Sequence, residues 1–222
     1  MEYILSPSIL SADFKALGEQ MKATEENGAR YLHFDVMDGM FVPSISFGMP
    51  VLKSIHNATD QVMDAHLMVQ EPIRYVEAFQ EAGAHIVTVH LEACRDVRET
   101  LERIHDCGMK AGLSICPETD VDQAEPFLSS IEMLLVMSVH PGFGGQKFIP
   151  ESLDKIRRAR NMIEERNLKV DIQVDGGISA ANVRDVLDAG ANVIVAGSAV
   201  FKNDAAANTR EFLEIFSQYQ GR

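Results

Sequence analysis

Short runs of apolar residues, many of them β-branched, alternate along the chain with longer stretches in which apolar positions recur at the helical period. The short runs predict eight strands, over residues 4–10, 31–37, 61–68, 86–90, 110–115, 133–139, 169–175 and 192–196. The stretches between them predict eight helices, over residues 13–27, 49–56, 73–82, 97–106, 121–128, 151–166, 180–188 and 205–219. Glycine follows several of these helices at the expected stop.

Strict alternation of strands and helices predicts parallel strands, because each helix returns the chain to the same edge of the sheet. Eight such repeats in 222 residues fit a closed (β/α)8 TIM barrel, and we expect one α/β catalytic domain over residues 1–222. An open, doubly wound sheet is the competing architecture. Against it, no GxGxxG motif follows the first predicted strand, and candidate chemistry follows many strands instead of gathering at one crevice.

Composition and charge narrow the range of partners. The chain is 46% hydrophobic, which is enough apolar material for a large core without disulfides or a structural metal. A net charge of −13 argues against nucleic acid, whose phosphate backbone is held by dense Lys and Arg surfaces. It is compatible with a small phosphorylated ligand, because backbone N–H groups hold phosphate without net positive charge.

The cysteines and the N-terminal residues indicate the compartment. Cys94, Cys107 and Cys116 form neither a CxxC pair nor zinc-finger spacing, which predicts free thiols in a reducing environment. The N-terminus lacks the basic start and apolar stretch of a signal peptide. No apolar run approaches the roughly 20 residues that span a bilayer. We therefore expect a soluble, cytoplasmic protein without a membrane partner.

Polar residues stand at the carboxyl ends of three predicted strands, which is where barrels place their chemistry. His33 and Asp35 are two residues apart on the second strand and so project to the same side, while His66 ends the third strand and Asp175 the seventh. Singly, each has an ordinary explanation as a hydrogen-bonding group or a turn residue. Together they predict a site with two nitrogen and two oxygen ligands, which suits Zn, Fe, Co or Mn better than Ca or Mg.

Glycine-containing loops follow the sixth, seventh and eighth predicted strands. Residues 141–146 read Pro-Gly-Phe-Gly-Gly-Gln, Gly176 and Gly177 follow the seventh strand, and Gly197 precedes Ser198 after the eighth. Glycine lets successive backbone N–H groups approach an anion closely, and the ends of strands seven and eight are a frequent phosphate site in barrels. One such loop would be an ordinary tight turn, but three on neighbouring strands predict a phosphate-binding cradle.

Taken together, these motifs resemble the ribulose-phosphate 3-epimerase family. The similarity covers residues 7–13, 33–39, 41–43, 66–68, 141–146, 174–178 and 195–198, in the order and spacing of the family. The resemblance runs from the first strand to the eighth, and the set is highly specific. It implies metal-dependent 3-epimerisation of D-ribulose 5-phosphate, a pentulose phosphate, to D-xylulose 5-phosphate through a 2,3-enediolate. We also expect a homo-oligomer.

The resemblance further implies a role for each matching residue. One divalent metal cation (Zn, Fe, Co or Mn) would be held by His33, Asp35, His66 and Asp175, and the two aspartates would double as the catalytic acid/base pair. Ser8 and His66 would contact the sugar. The phosphate end of the substrate would be bound by Gly142, Phe143, Gly144, Gly145, Gly176, Gly177, Gly197 and Ser198. The residues packed about the reacting carbons would be Met37, Met68 and Met137, which would otherwise be core fillers.

Three positions depart from the pattern of the family, which usually has Asn at each. This chain has His140 before the glycine loop, Cys116 before Pro117, and Ser44 after the Phe-Val-Pro step. These departures leave the reaction type unchanged and bear on sugar selectivity. His90 ends the fourth predicted strand, and there we expect structural support.

Other functions remain open at this point. An epimerase acting on another ketose phosphate, such as allulose 6-phosphate, is the nearest alternative. However, Gly144 and Gly145 resemble the glycine loop of the enzymes that act on pentose phosphates. A metal hydrolase has no obvious need for three glycine loops. A Schiff-base aldolase needs an inward lysine near the carboxyl end of a strand, whereas Lys110 and Lys169 are the first residues of their predicted strands. A non-catalytic sugar-phosphate binding protein leaves both aspartates unexplained.

Overall fold

The computed structural model describes residues 1–220. Its sheet consists of eight strands: β1 (Ile4–Pro7), β2 (Tyr31–Met37), β3 (Val62–Met68), β4 (Ile86–His90), β5 (Lys110–Ile115), β6 (Met133–Met137), β7 (Asp171–Asp175) and β8 (Val193–Ala196). The strands pair in parallel in the order β1-β8-β7-β6-β5-β4-β3-β2. A parallel bridge between Ser8 and His33 joins the two ends of the sheet. The barrel is nearly closed, and the predicted TIM-barrel fold is confirmed.

Helices alternate with the strands around the outside of the barrel. They are α1 (Leu17–Glu26), α2 (Met49–His56), α3 (Val76–Glu81), α4 (Val97–Asp106), α5 (Ser152–Glu165), α6 (Val183–Asp188), α7 (Ser198–Phe201) and α8 (Ala205–Ser217). Two begin at aspartates that act as N-caps: Asp96 accepts from the N–H of Glu99 at 3.0 Å, and Asp204 accepts from that of Ala207 at 2.9 Å. Within residues 1–220, every helix is too short or too polar to cross a membrane.

Several observed elements are shorter than predicted at their ends, and three differ for a reason that the local sequence explains. The first strand, predicted over residues 4–10, ends at Pro7, because the Ser8 hydroxyl accepts from the N–H of Leu10 and starts a 3-10 turn. The helix predicted over residues 121–128 is a 3-10 segment, Val121–Ser130, and Pro126 inside it cannot donate a helical hydrogen bond. The helix predicted over residues 73–82 is divided into a 3-10 turn, Pro72–Tyr75, and α3.

Two layers of core hold the barrel. The larger lies between the sheet and the helices, and its largest fully buried side chains are Phe34, Phe79, Phe212 and Phe216. Inside the barrel, an apolar layer closes the amino ends of the strands, formed by Ile4, Tyr31, Ile86, Met133 and Val193. The next layer toward the carboxyl ends includes buried polar side chains, among them Ser6, His33, Asp64 and Gln173. The barrel is therefore sealed at one end and polar toward the other.

Candidate active site

The carboxyl ends of β2, β3 and β7 bring four ligating side chains together. Strand alternation turns His33 and Asp35 inward, and the register of β2 against β3 sets Asp35 beside His66. One ligand atom from each of His33, Asp35, His66 and Asp175 lies within 4.8 Å of the ligand atoms of the other three. The structure thus groups the same four side chains that the sequence motifs suggested.

The separations within this four-residue cluster are close to those between ligands of a single metal ion. His33 Nε2 lies 3.2 Å from Asp35 Oδ1 and 3.4 Å from His66 Nδ1, and His66 Nδ1 lies 3.0 Å from Asp35 Oδ1. Asp175 Oδ2 lies 3.9 Å from His33 Nε2 and 3.8 Å from His66 Nδ1. Tetrahedral ligands bound at about 2.0 to 2.2 Å lie about 3.3 to 3.6 Å apart. The donor set and its spacing therefore fit one divalent cation.

A buried carboxylate orients the first of the two histidines. Asp64 Oδ2 lies 2.8 Å from His33 Nδ1 and also accepts from Ser6 Oγ at 3.1 Å and from Gln173 Nε2 at 2.5 Å. These contacts direct Nε2 of His33 toward the cluster, as carboxylates do for metal-binding histidines. The sequence analysis missed Asp64, although it lies two residues before His66 and alternation places both inward.

The two carboxyl groups of the cluster have opposite pKa shifts. Burial alone would raise the pKa of Asp35, but the charge and hydrogen bonds of His33 and His66 outweigh it and lower that pKa below its usual range. Burial raises the pKa of Asp175 to about 7, and the negative charge of Asp35 adds to the effect. Neighbouring carboxyl groups with separated pKa values can be one ionised and one protonated at neutral pH.

A cavity of about 300 Å³ opens at this end of the barrel. Asp35 and Asp175 line it, whereas His33 and His66 are fully buried. The contact of His66 with the sugar stays a prediction. The other predicted site residues that line the cavity are Ser8, Met37, Met68, Met137, Gly142, Phe143, Gly144, Gly145, Gly176, Gly177, Gly197 and Ser198.

The loop after β7 has a conformation that only glycine adopts without strain. Gly176 and Gly177 have φ values of +121° and +66°. A Cβ at Gly177 would lie 2.3 Å from the backbone nitrogen of Phe148, and one at Gly176 would lie 2.4 Å from a methyl group of Val139. Their lack of side chains therefore lets this loop pack closely against the segment that follows β6.

Lys202 is a residue of the cavity wall that the sequence analysis did not identify. It follows α7, the four-residue helix after β8, which was also not predicted because so short a segment shows no helical period. Lys202 lines the same cavity as the three glycine-containing loops. Its ammonium group adds positive charge where the sequence predicts an anion.

Two of the residues that depart from the family pattern tie rim loops together. Cys116 lies 3.5 Å from His90 through its sulfur, and its carbonyl accepts from Lys155 Nζ at 3.0 Å. The exposed ring of His140 lies 2.8 Å from a carboxylate oxygen of Glu118. Neither residue belongs to the four-residue cluster. Their contacts organise the loops after β5 and β6.

Comparison with known proteins identifies relatives along most of the chain. Residues 4–201 match the model of the ribulose-phosphate 3 epimerase family. A ribulose-phosphate 3-epimerase of Synechocystis sp. is 51% identical over 200 residues, covering 89% of this chain and 87% of the relative. A ribulose-phosphate 3-epimerase of Bacillus subtilis is 46% identical over 198 residues, covering 89% of this chain and 91% of the relative.

Solved structures of lower identity share the fold. The crystal structure of KGPDC from Streptococcus mutans superimposes with a TM-score of 0.73 at 15% identity and covers 100% of both chains. That of a 3-hexulose-6-phosphate synthase superimposes with a TM-score of 0.69 at 21% identity, covering 94% of this chain and 97% of the other. At this identity the likeness supports the barrel architecture alone.

Proposed function

Because the chain belongs to the ribulose-phosphate 3-epimerase family, and is therefore an epimerase acting on carbohydrates, we propose that it converts D-ribulose 5-phosphate to D-xylulose 5-phosphate. The observation that carries the proposal is a pair of carboxyl groups, Asp35 and Asp175, that line one cavity and lie in one cluster with two buried histidines. We take residues 1–222 as one catalytic domain.

Inverting a carbon beside a carbonyl group requires removal of its proton from one face and delivery of a proton to the other. In our proposal the ionised carboxylate of Asp35 takes the C3 proton, and a 2,3-enediolate forms. The protonated carboxyl group of Asp175 then delivers its proton to the opposite face of C3. The position of both carboxyl groups on one cavity supports this pair of roles, and the reverse reaction exchanges them.

The four-residue cluster would also hold the cation that stabilises the intermediate. A divalent cation held by His33, Asp35, His66 and Asp175 would act as a Lewis acid for the negative charge that develops on the substrate oxygens. Asp35 and Asp175 have two carboxylate oxygens each, so one can face the cation site and the other the cavity. Ser8 Oγ donates to Asp35 Oδ2 at 2.5 Å, which holds that oxygen at the cavity wall.

The phosphate end of the substrate sets the register of the sugar. We propose that the glycine-containing loops after β6, β7 and β8, together with Lys202, bind this phosphate. Anchoring the substrate there would hold C3 between the two carboxyl groups, which lowers the entropic cost of the reaction. The methionines of the cavity wall would then pack about the reacting carbons and exclude water.

Two further expectations belong to this proposal. The free cysteines fit a reducing compartment, and we propose a cytoplasmic location. The homo-oligomeric state stays a prediction.

A coupled assay that follows D-xylulose 5-phosphate formation tests the proposal. We expect turnover of D-ribulose 5-phosphate with a kcat/KM at least about tenfold higher than for D-allulose 6-phosphate, because one extra carbon must be accommodated between fixed sites. A preference for the hexulose phosphate would assign the chain to the alternative epimerase. Binding of both sugars without turnover of either would indicate a binding protein.

A further inference from the structure

A chain of hydrogen-bonding groups leads from the cation site to the rim of the barrel after β4. His66 directs Nδ1 toward the cluster, and its Nε2 lies 2.9 Å from Nε2 of His90 on β4. Both rings are fully buried, with centroids 5.0 Å apart and planes at 28°. His90 Nδ1 in turn lies 3.3 Å from a carboxylate oxygen of Glu92. We call His66, His90 and Glu92 the relay.

Counting protons along the relay fixes the position of each one. Two ring nitrogens 2.9 Å apart share a single proton, one as donor and the other as acceptor. A nitrogen that binds a cation carries no proton. With Nδ1 of His66 facing a cation, the proton of His66 lies on Nε2 and is donated to His90. The proton of His90 then lies on Nδ1, where Glu92 accepts it.

The opposite proton placement would disable the site. His66 would carry its proton on Nδ1, donate it to Asp35 Oδ1 at 3.0 Å, and lose the lone pair that a cation needs. His90 would then donate from Nε2 and turn the bare lone pair of Nδ1 toward the carboxylate of Glu92, a repulsion that the weak S–H donor of Cys116 at 3.5 Å does not offset. Glu92 therefore opposes this placement.

Hydrogen bonds from the loop after β5 hold the carboxylate of Glu92 in place beside His90. Its other carboxylate oxygen accepts from the backbone N–H of Cys116 at 2.8 Å and from the hydroxyl of Thr119. Lys155 Nζ in turn donates to three carbonyls of the same loop, those of Cys116, Pro117 and Thr119. The loop after β5 thus holds the carboxylate at a fixed distance from His90.

We propose that His90 and Glu92 are positioning residues that fix the tautomer of His66, so that its Nδ1 lone pair faces the cation site. This inference rests on the proposed function, because it assigns the four-residue cluster to a divalent cation. It also gives a use to the buried ring of His90 and to the carboxylate of Glu92 at the rim, neither of which the proton transfer itself needs.

The relay also determines whether a neighbouring cluster can bind a second cation. Ligand atoms of His90, Glu92 and Cys116 lie within 4.8 Å of one another, close enough to hold a cation of their own. Such a cation would need the lone pair of His90 Nδ1, which carries a proton whenever His66 binds at the first site. While a cation is bound by the four-residue cluster, His90 and Glu92 therefore act as positioning residues and do not bind a second cation.

Zinc affinity of the full chain, measured by competition with a chromophoric chelator, tests the relay. We expect His90→Phe to weaken zinc binding by about 10- to 100-fold, because it removes the acceptor for His66. His90→Gln should stay within about threefold of the parent, since its amide oxygen can still accept. Thr88→Val is the matched control: Thr88 is buried two residues earlier on β4, its hydroxyl has no partner, and affinity should be unchanged.

Imidazole nitrogen NMR of the zinc-loaded protein gives the second readout. We expect His66 to carry its proton on Nε2 and His90 on Nδ1. A proton of His90 on Nε2, unchanged zinc affinity in His90→Phe, or an equal loss in Thr88→Val would overturn the relay. If His90→Phe does not fold, Glu92→Leu replaces it, which removes the acceptor for His90 Nδ1, and a loss of zinc affinity is again expected. Both measurements are made without a sugar substrate. A failure of the relay can therefore be distinguished from a failure of the proposed epimerase activity.

Discussion

Asp35→Asn and Asp175→Asn are each expected to lower kcat for D-ribulose 5-phosphate by about 10³-fold or more. Asparagine keeps the shape of the side chain but can neither take nor deliver the C3 proton, and this kind of proton transfer contributes about 10² to 10⁴ in rate. Both residues also belong to the cation cluster, which adds to the loss. The coupled assay that follows D-xylulose 5-phosphate measures it.

Asp171→Asn is the matched control for these two variants. Asp171 lies on the same strand as Asp175, at its opposite end, and accepts from Asn192 Nδ2 at 2.7 Å. The amide oxygen of asparagine can still accept that hydrogen bond, so near-parental kcat is expected. Circular dichroism of all three variants checks that they are folded. Near-normal turnover by either Asp35→Asn or Asp175→Asn would refute the two-carboxyl mechanism.

Removal of the divalent cation is expected to reduce turnover by at least about 100-fold, because the negative charge that forms on the substrate oxygens then lacks its Lewis acid. The sample is dialysed against a strong chelator, and its residual metal content is measured by elemental analysis before the assay. The fold should survive, since the core between sheet and helices does not depend on the four-residue cluster.

Readdition of individual metal salts provides the control for chelation. Zn, Fe, Co or Mn should restore turnover, because imidazole and carboxylate ligands together suit these ions, whereas Ca or Mg should restore little. Full activity in protein shown to be free of metal would contradict the assignment of His33, Asp35, His66 and Asp175 as ligands.

The barrel could be predicted because its signal is repeated along the chain. Strands such as Tyr31–Met37 and helices such as Val97–Asp106 have the predicted bounds, since each buries a periodic apolar face. The errors fall where local geometry competes with periodicity. Pro126 makes the segment after β5 a 3-10 helix, and the hydroxyl of Ser8 ends β1 early. The four-residue helix α7 is too short to show a period.

The site could be predicted in part for a related reason. Strand alternation and barrel topology together place His33, Asp35, His66 and Asp175 at one end, and all four can be read from the sequence. Asp64 could have been found by the same alternation. The contact between His66 and His90 depends on how two neighbouring strands pack side chains inside the barrel, which no spacing in the sequence encodes.

The fate of the C3 hydrogen during a single turnover tests the two-carboxyl mechanism most directly. Enzyme in excess over D-ribulose 5-phosphate reacts in deuterium oxide and is then quenched, and the D-xylulose 5-phosphate formed is analysed by NMR and mass spectrometry. If one carboxyl group removes the proton and a second, equilibrated with solvent, replaces it, the first product molecules carry deuterium at C3. Product that retains the original hydrogen at C3 would contradict the account. The hydrogen would then have been returned by the same group that removed it, moved as a hydride, or stayed in place during carbon–carbon bond cleavage.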